Sequence, residues 1–159
     1  MVVRDGRVLA QGMTTYTAIG GTLDLAVTAA VDVQVKKSER EVKRTPNAIV
    51  WAGDHYARAD LSGSVALTNY RRKPVAVEVV RHVLGEADTA STDGKIESIN
   101  AYEDDSFMPA GDGRSAWWGW HSWPYWWNRV NGIGRITWKI TLEPGKKADL
   151  TYDWHYSWR

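Results

Sequence analysis

Along much of this chain apolar and polar side chains alternate one by one, a period of two that belongs to β-strands. The clearest run is Gly134 to Leu142. Ile136, Trp138, Ile140 and Leu142 fall on one face, and Arg135, Thr137, Lys139 and Thr141 on the other. Glu143-Pro144-Gly145-Lys146 breaks the run where a tight turn wants Pro and Gly. Leu150, Tyr152, Trp154, Tyr156 and Trp158 then alternate with Thr151, Asp153, His155 and Ser157. The pair reads as a C-terminal antiparallel hairpin, with Trp138 on the same side as these aromatics.

The same grammar recurs upstream. Val75, Val77 and Val79 open a strand that runs to about Leu84, after the polar turn Asn69 to Pro74. Tyr56 to Asp60 enters a long strand through Gly63 to Tyr70. Leu23, Leu25 and Val27, and then Val31, Val33 and Val35, alternate with polar residues. Asp5-Gly6 is a hairpin turn between Val2-Val3 and Val8-Leu9. Between Glu86 and Asn100, Gly85, Gly94 and many Ser and Thr residues oppose a helix. Strands at this spacing predict an all-β fold, a sandwich or a barrel, here read as an antiparallel β-sandwich of immunoglobulin or fibronectin-III type.

At 159 residues the chain suits one domain, 1–159. A domain of that size buries about 70% of its unfolded surface, so it needs no covalent staple. With no cysteine, disulfides and thiolate metal sites are excluded. Net charge is +1, from 20 basic and 19 acidic residues, which does not predict nucleic-acid binding. Lys36-Lys37, Lys43-Arg44, Arg71-Arg72-Lys73 and Lys146-Lys147 read as solvated turns and guarded strand edges. No apolar stretch approaches the roughly 18 residues of a transmembrane helix. Arg4, Asp5 and Arg7 precede any long apolar run, so no signal-peptide pattern is visible.

One region departs from the strand pattern. Residues 101–132 are acidic, then glycine-rich, then aromatic. Trp117, Trp118, Trp120, Trp123, Tyr125, Trp126 and Trp127 crowd into its second half, in a chain with 10 Trp, 7 Tyr and a single Phe. Trp and Tyr suit half-wet positions and interface hot spots. The region reads as an inserted loop, and these seven residues are the candidate binding residues. Such a loop either presents its indoles to a partner or folds back and caps an end of the sandwich. Exposing all of them would create an apolar patch that soluble monomers avoid.

Several segments together resemble a known family. Thr68-Asn69-Tyr70 followed by Lys73-Pro74-Val75-Ala76-Val77-Glu78-Val79 resembles its "TN…PV.VEV" hairpin. Trp138 to Thr141, then Leu142-Glu143-Pro144-Gly145-Lys146-Lys147 and Leu150-Thr151-Tyr152, resembles its "W.v.L.PG.k..l.Y" ending. Order and spacing from about residue 13 onward are similar to the C-terminal β-sandwich domain of mucoidy-inhibitor-A-like proteins, a domain of unknown function. The resemblance implies an all-β domain, placed after a coiled coil in a longer protein of the bacterial envelope. It brings no catalytic residues, and the Trp-rich insertion departs from its common pattern.

No catalytic, metal or cofactor motif stands out. Glu103, Asp104, Asp105 and Asp112 lack calcium-loop spacing and a partner acid motif, and read as a solvated acidic loop. His55, His82, His121 and His155 make no H-x-H or H-E-x-x-H pair. No G-x-S-x-G elbow or phosphate-cradling glycine loop is present. The chain therefore reads as a non-enzymatic module with no cofactor, binding a protein partner or itself. A carbohydrate-binding module that stacks glycans on Trp is the alternative.

Overall fold

The computed structural model describes residues 2–11, 18–21, 29–100, 124 and 126–159. The expected strand over Leu23 to Val27 lies outside them, as do Trp117, Trp118, Trp120, Trp123, Tyr125, His121 and the acids of the insertion. The chain divides into two compact units, Met1–Asp32 and Val33–Arg159.

In the first unit β1 (Val2–Arg4) pairs with β2 (Arg7–Ala10). Asp5 and Gly6 both take positive φ, 50° and 76°. That is the left-handed pair a two-residue hairpin needs, as the Asp-Gly dipeptide predicts.

The second unit is all-β and antiparallel apart from one helical turn. Its strands are β3 (Val33–Trp51), β4 (Asp54–Asn69), β5 (Val75–Val83), β6 (Glu86–Ala90), β7 (Lys95–Ser98), β8 (Gly134–Leu142) and β9 (Lys147–Trp158). The helical turn α1 covers Trp127–Val130. One sheet has the order β3-β4-β9-β6 and the other β5-β8-β7. A shared core holds them together as a sandwich-like pair. Val65 and Leu67 of β4 and Leu150, Tyr152 and Trp154 of β9 meet Val83 of β5 and Ile136, Trp138 and Leu142 of β8. These are the alternating apolar positions of the sequence. Each such side chain contributes about 1.5–3 kcal/mol by leaving water.

The connections correct two expectations. β8 and β9 do not form a hairpin. β8 pairs with β5 and β7, whereas β9 pairs with β4 and β6, so Glu143 to Lys146 arches from one sheet to the other. Trp138 therefore faces Tyr152 across the core, with ring centroids 6.1 Å apart, instead of flanking it on one face. The segment between β4 and β5 is likewise an arch. Tight-turn chemistry reverses the chain in both topologies, so Pro and Gly do not distinguish a hairpin from an arch. The apolar faces decide it, because one sheet alone cannot bury both.

Asn69 ties the two arches together. Its side chain is fully buried. Nδ2 donates to the carbonyls of Leu142 (2.9 Å) and Lys73 (3.0 Å), and Oδ1 accepts from the Arg71 amide (2.9 Å). The Asn69 backbone amide donates to the Lys146 carbonyl, and its carbonyl accepts from the Gly145 amide. Every polar group of this buried residue is thereby used, as burial requires.

Replacing Asn69 with Ala strands the buried Leu142 carbonyl and removes the partners of the Lys73 carbonyl and the Arg71 amide. The expected cost is about 2–3 kcal/mol, read as a lower urea midpoint at unchanged m-value. A loss below about 0.5 kcal/mol would remove the clamp from this account.

Candidate functional site

Three features of the second unit bear on function: an aromatic end, an inter-sheet polar network and an open sheet edge.

The aromatic end begins where the insertion returns to the framework. Ser98 pairs with Gly134, and the Ile99 amide donates to the Ile133 carbonyl at 2.9 Å, so the stem is closed below the insertion. Trp126 and Trp127 lie just before this stem and are only 8% and 7% exposed. They pack with Tyr56 in a second apolar cluster, flanked by Ile49, Trp51, Val130 and Tyr156. Trp126 lies 5.0 Å from the Tyr56 ring and 5.6 Å from Trp158, in the tilted and edge-on contacts aromatic rings prefer. Trp158 itself stays 48% exposed. Asn131 fixes the helical turn to β9. Its Nδ2 donates to the Ser157 carbonyl (2.9 Å), and its Oδ1 accepts from the Ser157 amide (2.6 Å). The side-chain amide thus imitates a neighbouring strand at a position beyond the reach of β6, whose pairing with β9 extends only to His155.

Of the candidate residues, Trp126 and Trp127 are thus packed inward against β3, β4 and β9. Trp117, Trp118, Trp120, Trp123 and Tyr125 lie outside the described residues.

The polar network spans the open side of the sandwich. Glu39 of β3 pairs with Gly63 of β4, which pairs with Tyr152 of β9. A Cβ on Gly63 would stand 2.3 Å from the Tyr152 ring, so glycine is what lets the phenol lie across β4. Tyr152 donates to Glu39 Oε1 at 3.3 Å, and Trp154 Nε1 donates to the same oxygen. From the opposite sheet, Arg81 donates to Tyr152 Oη and to Glu39 Oε2, each at 3.0 Å. Burial is the main cause pushing the Tyr152 phenol above its ordinary value, with Arg81 opposing it and Glu39 adding to it. This carboxylate–guanidinium–phenol set is internally satisfied, and so it acts as a brace between sheets.

On the other face of the four-stranded sheet, His155 Nδ1 hydrogen-bonds the Asp88 carboxylate at 2.9 Å, with Glu86 3.7 Å from Nε2. Arg58 bonds Asp60 at 2.6 Å. Among the described residues no group of three or more His, Asp or Glu is arranged to hold a metal. His55, His82 and His155 sit on β4, β5 and β9, with His82 in the other sheet from the remaining two. No described helix is long and apolar enough to cross a membrane.

The open edge belongs to β3, which runs for 19 residues and has β4 as its one neighbour among the described residues. Gln34 through Arg44 are all exposed. The alternation in the sequence marks this strand only from Val31 to about Lys37. Beyond that point the Lys, Arg and Glu run hides it, because an edge strand needs no apolar face to be held in register. Glu39, Arg81, Asn69 and Asn131 had no sequence signal as a set, since each acts through partners distant in the chain.

No protein-family model, no curated protein and no solved structure matches this chain.

Two outcomes follow. Trp127→Ala is expected to lose about 3–5 kcal/mol of stability through the cavity it leaves, seen in chemical unfolding. A surface-like loss under about 1 kcal/mol would contradict the packed position. Because the folded-state value of Tyr152 is raised above its ordinary 10.0, the unfolded chain gives up that proton first. Its contribution is then complete below the unfolded value and is lost as pH rises through the folded one. Urea midpoints of the wild type should fall in that alkaline range more steeply than those of Tyr152→Phe, and parallel curves would contradict the assignment.

Proposed function

We propose that this chain is a non-catalytic protein-interaction module on an immunoglobulin- or fibronectin-III-like sandwich. In keeping with the family resemblance, it would serve a larger protein of the bacterial cell envelope. The single observation that carries this reading is the β3 edge, extended over 19 residues with one side of its backbone unpaired among the described residues. Such an edge offers a row of amides and carbonyls to another chain. The Trp-rich loop is the second proposed contact surface, and its described residues Trp126 and Trp127 pack beside the half-exposed Trp158. The polar clusters among the described residues pair off internally, which fits a scaffold role better than turnover.

The test is a photo-crosslinking amino acid placed at Ser38 in the full chain, with and without residues 115–125. That deletion spares Trp126 and Trp127, whose loss would damage the fold. Protein adducts at Ser38 are expected, with reduced yield in the deletion. Unchanged yield would remove the loop from the contact surface. Absence of adducts, together with saturable quenching of Trp fluorescence by glycans, would replace the proposal with a carbohydrate-binding module.

A further inference from the structure

We infer that the β3 edge takes an extended acidic segment of a partner protein as an added strand, with acids on one face and aliphatic residues on the other. The inference rests on the interaction reading above and specifies its partner.

Pairing of β3 with β4 is unbroken from Val33 to Glu41, before the register shifts near Val42. Further on, Pro46 lies in the strand, and proline is kept to positions where no ladder hydrogen bond is needed. Val33 to Glu41 is therefore the stretch able to pair continuously on the side left unpaired among the described residues, and it exceeds the roughly five or six residues of an ordinary strand.

The cations of this stretch are not neutralised within the fold, because its acids are paired elsewhere. Glu39 is turned to Arg81, Tyr152 and Trp154, and Glu41 is paired with Arg44 at 2.8 Å. Lys36, Lys37, Arg40 and Lys43 make no ion pair among the described residues. Folding adds to them. Val33 stands opposite Asn69, whose backbone and side chain bond the carbonyls of Lys146 and Lys73. The backbones of three basic runs that are far apart in the chain thus approach one end of this edge, where Lys147 is itself paired with Asp149 at 2.9 Å. A net charge of +1 conceals a cationic strip.

The face assignment follows from register. Val33 and Val35 share the side of the core residues Asn69 and Leu67, and Val35 remains 55% exposed. Lys36 and Arg40 point to the opposite side. On the first face an incoming strand meets Val33 and Val35 and then Lys37 and Glu39, whereas on the second it meets Lys36 and Arg40, so its aliphatic residues belong at the Val33 end and its acids on the second face. Cations on an exposed edge also repel a like edge, so two copies are kept from joining β3 to β3. The other edge of the same sheet, β6, carries Glu86 and Asp88 but has only five residues and a register shift, which makes it a poor added strand.

The probe is a soluble peptide of alternating Glu and Val, titrated against the full chain with amide hydrogen exchange as the structural readout. Controls are a Lys–Val peptide, a Glu peptide spaced by Gly and Ser, and vesicles of phosphatidylglycerol with phosphatidylcholine. Binding of the Glu–Val peptide is expected, with protection of Val33 to Glu41. The double variant Lys36→Glu, Arg40→Glu should weaken it about tenfold or more and should accept the Lys–Val peptide in its place. That swap is not available to a merely misfolded variant. Equal binding of the Glu–Val and Lys–Val peptides to the wild type would overturn the acidic partner while leaving the interaction module standing. Equal binding of the spaced Glu peptide would overturn strand addition. Binding of vesicles alone would assign the strip to an anionic membrane, and charge-sensitive self-association would assign it to a second copy. Absence of all binding, with adducts at Ser38 still formed, would overturn this partner class and spare the module.

Discussion

A buried amide side chain holds the two arches of this sandwich together. Asn69 sits at the end of β4, where the chain leaves one sheet for the other, and it meets the β8–β9 arch returning the opposite way. The β8–β9 arch leaves the Leu142 carbonyl in the interior, where an unpaired group costs far more than a hydrogen bond gains. One residue answers carbonyls from both arches and accepts an amide in addition. The facing of Trp138 and Tyr152 across the core depends on that crossing, since a hairpin would have set them side by side.

The closed and open sides of the sandwich follow from the same topology. On one side Trp138 Nε1 donates to the Ser91 carbonyl at 2.7 Å, which locks the β6–β7 crossing against the core. On the other side β3 overhangs, and the sheets are bridged by Glu39 and Arg81 with Tyr152 and Trp154. That bridge spends the one inward carboxylate of β3 inside the fold. Lys36, Lys37, Arg40 and Lys43 remain without ion-pair partners among the described residues, so the positive character of the edge is a consequence of how the acid is used.

The aromatic bias has a structural use at the far end. Trp126 and Trp127 provide large apolar area where the sheet is narrow, and Trp158 covers them while leaving its own outer surface wet. Asn131 completes the β9 edge with side-chain hydrogen bonds in place of a strand. Indole and amide groups do this well because each joins a flat, rigid body to a polar tip.

Alternation along the chain already marks the strands that bury one face. β5, β8 and β9 appear at nearly their observed boundaries, and the Asp-Gly and Pro-Gly turns lie where dipeptide chemistry puts them. The Trp-rich composition was equally plain, including the two indoles now found packed inward. Those signals are local, because alternation and left-handed turn residues need only near neighbours. Tertiary structure alone decided which strands pair, so the apparent C-terminal hairpin became an arch between sheets. It also revealed β3 along its whole length and the roles of Asn69, Glu39 and Arg81. An edge strand carries no apolar stripe, and a hydrogen bond between residues 73 positions apart leaves no periodic trace in the sequence. Charge summed along a chain is likewise blind to which carboxylates the fold turns inward.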